Sequence, residues 1–356
     1  MKILILPRYE NLAASSRYRF YQYIPYLKKI GWDVTVKPLL SNNYVKHLYY
    51  QQPLKLDEII KGYLNRIYYL LRRNKYNIIW LQQEILPWLP NFIESSFINS
   101  DVKLVSDYDD AFFHRYDLHQ SKIIRMLFKN KIDSVMSSSD LILAGNDYLA
   151  KRALLNNPAE KIEIFPTVVD TDKYSLNNYT KKNNEFTIGW IGSPGTEKYL
   201  TIVSKVLKEV YKLGNIKISL IGAKNFSIDG VNLNLIKWNE ETEIQEIFKF
   251  DVGIMPLIDS PWEKGKCGFK LIQYMACGVP VIGSPVGVNT KIISHGENGF
   301  LAKNDDEWTK SLKFFIENSE QKKIMGSVGK RLVKKEYSLK NNIIRLKELF
   351  ENLISE

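Results

Sequence analysis

Cysteine is scarce in this chain of 356 residues, which has only Cys267 and Cys277. A disulfide framework is therefore not expected, and free thiols are typical of a protein kept in the reducing cytoplasm. Long apolar runs are also missing, since none approaches the roughly 20 residues that span a bilayer. The first residues, MKILILPRYE, lack the charged, apolar and small-residue order of a signal peptide. We therefore expect a cytoplasmic protein.

Acidic residues are outnumbered by basic ones, 39 against 50, which gives a net charge of +11. The excess is concentrated between Lys28 and Lys75, where tyrosines are interleaved with the basic residues. Basic amphipathic segments with aromatic residues favour an anionic membrane surface, here the inner face of a membrane. The alternative is a solvated basic helix. Nucleic acid is not an expected partner because no recognised nucleic-acid-binding module is present.

The chain is too long for one ordinary core, which indicates two domains. Short apolar runs alternate with amphipathic stretches in both halves, and the polar tract SLNNYTKKNNE at residues 175–185 is the clearest change of composition. This alternation predicts an α/β fold with Rossmann-like domains. We place the domains at residues 1–169 and 186–335, with a linker at 170–185 and a C-terminal helical segment at 336–356.

Residues 263–284, EKGKCGFKLIQYMACGVPVIGS, carry the most informative pattern in the chain. They predict a loop, a short helix, a glycine stop and a buried strand. Lys270 and Gln273 share one face of the first helical turn, where free N–H groups and the helix dipole favour an anion. Lys266 precedes them in the loop. The pattern therefore predicts a site for a diphosphate.

The same segment, above all MACGVPVIGSPVG, resembles the donor-binding signature of the retaining glycosyltransferases of the large group 1 family, family four. The resemblance implies the GT-B fold, in which two Rossmann-like domains face each other across a cleft and a C-terminal helix crosses back to the N-terminal domain. It also implies transfer of a sugar from a nucleotide-sugar donor.

One departure from the family concerns two glutamates that bracket the helix start. In the family the first contacts the transferred sugar and the second the ribose, but Gly265 and Gln273 stand at the matching positions here. The amide of Gln273 still suits a pair of hydroxyl groups. The pattern KCGFKLIQYMACG resembles a subgroup from polysaccharide-assembly loci, in which lysines flank the site instead.

A second candidate phosphate site is the turn GSPGT at residues 192–196, which follows a predicted strand. Its backbone N–H groups, with the hydroxyls of Ser193 and Thr196, suit a phosphate. Any tight turn between a strand and a helix also favours glycine. We predict that the donor is held by Gly192, Ser193, Thr196, Lys266, Gly268, Phe269, Lys270, Leu271 and Gln273.

Two residues are candidates for holding the nucleotide base. The resemblance places the base near the residues that follow two strands of the second half, which makes Lys224 and Trp238 the candidates. A core position suits Trp238 equally well.

Polar residues also gather at 107–114, DYDDAFFH, where a predicted strand ends. An Asp-x-Asp triplet after a strand is how GT-A glycosyltransferases hold a divalent metal, but the triplet recurs at 170–172 and is a weak signal. The alternative is that Asp109, Asp110 and His114 orient the acceptor and the transferred sugar. We predict these three as catalytic residues, with no metal and no other cofactor, and Asp107 as a possible cap of a turn.

The loop after the first strand carries Ser16, Arg17 and Arg19, and Glu84 follows another strand. Doubly wound folds bind ligands at the carboxyl ends of their strands, so these residues are predicted to face a phosphate or the acceptor. For Arg17 and Arg19 the alternative is a solvated surface position. The expected acceptor is a glycan, either free or linked to a polyprenyl carrier.

Two other functions stay open. An epimerase or dehydrogenase would use a Rossmann nucleotide site, but no G-x-G-x-x-G follows the first strand. A non-catalytic subunit that binds a sugar nucleotide or a glycan is compatible with the missing glutamates. For sugar transfer the main electrostatic task is to stabilise the negative charge that grows on the leaving diphosphate, and lysines can do this without a metal.

Overall fold

The computed structural model describes residues 1–98, 101–175 and 185–355. These residues form two compact units. The first comprises residues 1–167, 264–267 and 342–355, and the second comprises the described residues of 168–263 and 268–341. Most of the predicted linker, residues 176–184, lies outside the described residues.

The first unit contains a six-stranded parallel sheet, as its apolar runs predict. Its strands are β1 (Lys2–Leu6), β2 (Asp33–Val36), β3 (Ile78–Gln82), β4 (Lys103–Tyr108), β5 (Leu141–Ala144) and β6 (Ile162–Ile164). The order is β2-β1-β3-β4-β5-β6, in which Ile3 pairs with both Val34 and Ile78. In such an order successive strands are added on one side of β1 and then on the other, and this switch point between β1 and β3 is where doubly wound sheets bind ligands.

Helices of the first unit connect these strands. They are α1 (Ala14–Arg19), α2 (Ile24–Lys29), α3 (Asn42–Tyr50), α4 (Leu56–Leu71), α5 (Asn91–Ile98), α6 (His114–Asp117), α7 (Lys122–Phe128), α8 (Lys131–Ser137) and α9 (Asp147–Ala153). Short 3₁₀ turns lie at Tyr21–Tyr23, Arg73–Lys75 and Ala159–Lys161.

The second unit contains another six-stranded parallel sheet. Its strands are β7 (Phe186–Ile191), β8 (Ile216–Ile221), β9 (Leu233–Ile236), β10 (Val252–Met255), β11 (Val281–Gly283) and β12 (Gly299–Leu301). The order β12-β11-β10-β7-β8-β9 is the dinucleotide-binding order, with its switch point between β7 and β10. Strand β12 was not predicted, because its residues read as a glycine-rich turn.

The helices of the second unit follow the same alternation. They are the 3₁₀ helix Pro194–Val203, α10 (Ser204–Tyr211), α11 (Glu243–Ile247), α12 (Pro261–Lys264), α13 (Phe269–Ala276), α14 (Asn289–Ile292), α15 (Asp305–Glu317) and α16 (Ser319–Glu336). Of the described helices, none combines the length and apolar character that crossing a membrane requires.

The last helix, α17 (Leu339–Ser355), returns the chain to the N-terminal sheet, as the resemblance predicts. Phe350 stacks on Trp32, with ring centroids 6.2 Å apart, and meets Trp80 edge-on at 5.4 Å. Phe350 and Trp80 are fully buried. The C-terminal residues therefore complete the core of the first unit.

Candidate functional site

At the switch point of the first unit, buried hydrogen bonds join the end of β3 to helix α1 and to the loop after β1. At the end of β3, Gln82 Oε1 accepts hydrogen bonds from the backbone N–H of Arg8 and from Ser16 Oγ, both at 2.8 Å. Ser16 Oγ accepts in turn from the backbone N–H of Tyr9 at 3.1 Å. Ser16, a predicted ligand residue, therefore ties the loop after β1 to the end of β3.

Arg19 lies in the core of the first unit. Its Nε donates to Asp107 Oδ1 at 2.7 Å, its Nη1 donates to the carbonyl of Phe165 at 2.7 Å, and Trp80 Nε1 donates to Asp107 Oδ2 at 3.2 Å. Arg17 is buried as well. The alternative that the two arginines are solvated surface charges is wrong. Strand β4 extends through Asp107, so this residue is not the cap of a turn, and its carboxylate pairs with Arg19 of α1 instead.

Glu84 belongs to a buried charged cluster that includes residues missed by the sequence analysis. Its carboxylate pairs with Arg8 Nη1 at 3.0 Å and accepts from the Tyr116 hydroxyl at 2.8 Å. Lys131 Nζ lies 3.3 Å from Glu84 and 2.9 Å from Glu94. No sequence pattern indicated this cluster, because Lys131 stands in an ordinary basic run.

Lys131 also fixes the backbone of the loop after β3. Its ammonium donates to the carbonyls of Leu86 and Leu89, both at 2.6 Å. In the same loop Gln83 and Trp88 have φ values of 65° and 63°. Left-handed conformations are unfavourable for bulky residues and persist where the surroundings hold them. The buried cluster therefore holds this loop in one shape.

The three predicted catalytic side chains have different surroundings. Asp109 is half-buried and accepts from Gln83 Nε2 at 3.2 Å. Burial raises the pKa of Asp109; the charge of Arg19 opposes this shift, and the carboxylate of Asp107 adds to it. Asp110 lies 3.6 Å from Lys266 Nζ.

His114 differs from the two aspartates because both of its ring nitrogens have partners. Nδ1 lies 2.8 Å from Asp117 Oδ1 and Nε2 lies 2.8 Å from the hydroxyl of Tyr148. These contacts orient the imidazole within α6 and toward α9.

Residues 264–267 lie in the first unit, where close packing leaves no room for a side chain at Gly265. The resembling family has glutamate at this position. Asn146 Nδ2 donates to the carbonyls of Gly265 and Lys266 at 2.9 and 3.0 Å. Cys267 Sγ donates to the carbonyl of Asp109 at 3.0 Å, and burial raises the pKa of this thiol. A Cβ at Gly265 would lie 2.5 Å from Ala111 Cβ and 2.6 Å from its backbone nitrogen. With this backbone, no side chain fits there.

The switch point of the second unit carries the GSPGT turn. The backbone N–H of Ser193 donates to Thr196 Oγ1, and that hydroxyl donates to the Ser193 carbonyl, each at 3.0 Å. A Cβ at Gly192 would lie 2.3 Å from the Trp190 ring. At Gly222, which has a φ of +81°, a Cβ would lie 2.1 Å from the Gly192 carbonyl oxygen. The loop after β8 therefore contacts the turn after β7.

Lys270 contacts the same indole. Its Nζ is 4.3 Å from the ring centroid of Trp190, a cation–π contact at the first turn of α13. Because Trp190 also contacts Gly192, the structure brings the two predicted phosphate elements of this unit to one fully buried side chain. Lys266, predicted to act with Lys270, is instead grouped with Asp110 of the first unit.

The other donor candidates of α13 are more enclosed. Gln273 is buried, and its Nε2 donates to the Tyr174 hydroxyl at 3.2 Å. Leu271 is fully buried in the core, whereas Phe269 is half-buried. Gly268 precedes the helix with a φ of +65°. Of these residues, Gln273 is the one with a polar group for a hydroxyl.

The two base candidates differ in exposure. Trp238 is half-buried, packs against the apolar core, and donates from Nε1 to Glu243 Oε2 at 2.6 Å. Lys224 is exposed, and its backbone N–H donates to Glu197 Oε2 at 2.7 Å. Lys224 therefore presents its side chain to solvent, while Trp238 has a core role.

Sequence reasoning missed one further carboxylate, Glu263. It is buried in the second unit and accepts hydrogen bonds from the hydroxyls of Tyr199 and Ser260. Its only sequence signal was its position two residues before Gly265.

Across the described ranges, no group of three or more His, Cys, Asp or Glu side chains is placed to hold a metal ion.

Two parallel six-stranded sheets with connecting helices form an α/β architecture of the GT-B type. Residues 185–318 match the family described as "Glycosyl transferases group 1". This match covers the GSPGT turn, Lys270 and Gln273.

Curated relatives and solved structures agree with this match. An uncharacterised glycosyltransferase of Methanocaldococcus jannaschii is 29% identical over 100 residues, which are 28% of this chain and 26% of that protein. Another from the same organism is 24% identical over 255 residues, 67% of this chain and 68% of that one. The structure of Anabaena HepE in complex with UDP-glucose has a TM-score of 0.75 at 15% identity, covering 99% of this chain and all of that one. The chain is therefore similar to glycosyltransferases, and the group 1 match lies largely in its second unit.

Proposed function

We propose that this chain transfers a sugar from a nucleotide-sugar donor, with a UDP-sugar as the first candidate, to a glycan or polyprenyl-linked glycan. The observation that carries the proposal is the group 1 match over the switch point of the second unit, where Lys270 and the GSPGT turn meet at Trp190. The UDP-glucose bound to the similarly folded Anabaena HepE supports the choice of nucleotide.

On the donor side, Lys270 and the residues of the GSPGT turn bind the diphosphate, and Gln273 contacts the ribose. Lys270 is suited to this role because a fixed cation stabilises the charge that develops on the leaving phosphate. The resting partner of the Gln273 amide is a tyrosine hydroxyl, which a ribose hydroxyl can replace without loss of hydrogen bonds. Lys224, exposed beside the turn, is the candidate for the base.

On the acceptor side, Asp109 and Asp110 orient the hydroxyl that attacks the sugar. The raised pKa of Asp109 suits a carboxyl group that exchanges protons with hydroxyls, and Asp110 pairs with Lys266. The anomeric bond to the phosphate oxygen breaks while a bond to the acceptor oxygen forms. The proton of the acceptor passes to the leaving phosphate, on the same face, so that the product retains the anomeric configuration.

We further propose that the reaction needs no metal and belongs to the synthesis of a cell-surface polysaccharide in the cytoplasm. Basic side chains at the donor site support the first point, since they supply the charge that a metal supplies in GT-A enzymes. The resemblance of KCGFKLIQYMACG to polysaccharide-locus enzymes supports the second.

The test is a transfer and hydrolysis assay with a panel of UDP-, GDP- and dTDP-sugars, run with and without EDTA. We expect turnover of one donor class that survives EDTA. Epimerised donor without hydrolysis would indicate an epimerase, and donor binding without turnover on any acceptor would indicate a binding subunit. Loss of all activity in EDTA would contradict the metal-free mechanism.

A pair of variants locates the donor site. Lys270→Ala is expected to weaken UDP binding in calorimetry by about tenfold or more, because a charge-assisted contact to phosphate contributes roughly 1.5–3 kcal/mol. Lys212→Ala, an exposed lysine after α10, is the matched control and is expected to bind UDP as the unchanged protein does. Equal affinities for all three proteins would refute the assigned anion site.

On the acceptor side, Asp110→Asn is expected to reduce turnover without weakening UDP binding.

A further inference from the structure

Helix α4 of the first unit has two apolar faces, only one of which packs on the protein. Arg66 and Leu70 are buried on the inner face. The outer face carries large apolar side chains at helical spacing, each 44–69% exposed. They are Leu56, Ile60, Leu64, Tyr68 and Leu71. A single exposed apolar residue is ordinary, but a stripe along a whole helix marks an interaction surface.

Basic side chains border this stripe. Lys61 is exposed on α4, and Lys55, Arg72 and Lys75 are exposed just beyond its ends. The guanidinium of Arg72 lies 4.0 Å from the ring centroid of Tyr68, so a cation and an amphipathic ring stand together at the edge of the stripe. Long basic side chains and tyrosine are suited to the headgroup region of a bilayer, with their apolar parts directed inward.

Acidic side chains do little to neutralise this border. Asp57 and Glu58 are the acidic residues of α4. Glu58 accepts a hydrogen bond from Ser41 Oγ at 3.1 Å and lies 3.5 Å from Lys55 Nζ, whereas Asp57 is exposed. The four basic side chains of the border outnumber these two carboxylates. The outer surface of α4 is therefore apolar and net positive.

We propose that the outer face of α4, defined by Leu56, Ile60, Leu64, Tyr68 and Leu71 with its basic border, docks the protein on an anionic phospholipid surface. Charge decides between the possible occupants. A second copy would bring the same basic border against this one, whereas an anionic leaflet is complementary to it and receives the apolar side chains. The helix, with 16 residues and a length of about 24 Å, lies in the interface rather than crossing it.

This docking goes beyond sugar transfer and is independent of it, because it is measured without any substrate. The full-length protein is mixed with vesicles of phosphatidylcholine alone or with about one third phosphatidylglycerol, and the bound fraction is measured by flotation. We expect binding to the anionic vesicles that falls strongly near 0.5 M salt, where surface charges are screened. No binding to anionic vesicles would overturn the proposal.

Ile60→Glu combined with Leu64→Glu tests the apolar stripe. Both positions are exposed, so the fold is expected to persist, and circular dichroism checks this. Partitioning onto anionic vesicles is expected to fall at least tenfold. The matched control is Leu213→Glu with Ile324→Glu, which adds the same charge at exposed apolar positions of the second unit and is expected to bind as the unchanged protein does. An equal loss in both pairs would show only a net-charge effect and would overturn the assignment.

Lys61→Gln combined with Arg72→Gln tests the basic border. The loss of two cations near the surface is expected to weaken partitioning about 25-fold at low salt, roughly fivefold for each. Lys323→Gln with Lys335→Gln, two exposed lysines of α16, is the control. UDP affinity is expected to be unchanged in every variant, so failure of the docking surface is distinguishable from failure of the donor site.

Two results would assign the surface differently. Helix α7 also exposes apolar side chains, at Ile123 and Met126. If Ile123→Glu with Met126→Glu abolished vesicle binding while the α4 variants bound normally, α4 would not be the docking surface. If sedimentation velocity showed a dimer that the α4 stripe variant dissociates, with no lipid binding, the occupant would be a second copy.

Discussion

Lys131 shows how one buried side chain determines the behaviour of its neighbours. Two carboxylates, Glu84 and Glu94, share this single ammonium, and both are fully buried. Glu84 has Arg8 as a second cationic partner at 3.0 Å, whereas the described partners of Glu94 are Lys131 and the backbone N–H of Leu86. Burial raises the pKa of Glu94 from the usual 4.5 to about 7; Lys131 opposes this shift and Glu84 adds to it.

This raised pKa predicts a stability that falls as pH rises. Below pH 4.5 Glu94 is protonated in the folded and unfolded states alike, so it has no effect. Between pH 4.5 and 7 the unfolded state has released the proton while the folded state retains it, so the free energy of unfolding declines by about 3 kcal/mol over this window. Urea unfolding at closely spaced pH values measures the decline.

Glu94→Gln is the informative comparison for this prediction. The amide is neutral at every pH, so the variant is expected to lack this part of the decline. Its free energy of unfolding is therefore expected to rise relative to that of the unchanged protein between pH 5 and 8. Glu320→Gln, at an exposed position of α16, is the control and is expected to leave the profile as it is. Parallel profiles for the protein and Glu94→Gln would show that Glu94 is ionised throughout.

At the scale of the element, the start of α13 depends on a single glycine. Gly268 has a φ of +65°, and a Cβ there would lie 2.3 Å from Ile292 Cδ1. Gly268→Ala is therefore expected to lower the free energy of unfolding by about 1–3 kcal/mol, through backbone strain and overpacking. Gly195→Ala is the matched control, because the nearest atom to its Cβ would be 3.9 Å away. It is expected to be neutral or stabilising by up to about 1 kcal/mol. Equal losses in thermal or urea unfolding would show that neither strain nor space distinguishes the two glycines.

The strands were predictable from sequence because a parallel sheet is buried on both faces. Continuous apolar runs such as Lys2–Leu6 and Phe186–Ile191 therefore mark its strands directly. Helices α3 and α7 were missed, since their exposed apolar residues obscure the helical period. Strand β12 was missed because a three-residue edge strand beside glycines has the composition of a turn.

The candidate site was predictable only in part. Strand ends and glycine turns predict which edge of a sheet a residue occupies, and Lys270 and the turn at Gly192 do meet at one side chain. Sequence does not tell whether a polar side chain at that edge points toward ligand or into the core. Arg19 and Glu84 are buried in ion pairs. One partner of Glu84 is Lys131, which lies far away in the chain, so the sequence around Glu84 does not indicate that its side chain points into the core.

At the scale of the whole molecule, the first unit is assembled from three separated stretches of chain, and the last of them closes its core. Helix α17 contributes Phe350, which is fully buried and contacts Trp32 and Trp80. Strands β1 and β3 pair directly, and Trp80 belongs to β3. The stability of the N-terminal sheet is therefore expected to depend on residues at the far end of the chain.

Phe350→Ala tests this dependence in the full-length protein. Removing a fully buried phenylalanine lowers stability by about 3–5 kcal/mol, and the loss is expected to appear where the ring packs. Amide hydrogen exchange is therefore expected to accelerate in peptides covering Lys2–Leu6 and Ile78–Gln82. Ile354→Ala, at a partly exposed position of the same helix, is the control and is expected to leave these peptides protected. Unchanged exchange in Phe350→Ala would mean that the N-terminal sheet is stable without the C-terminal helix.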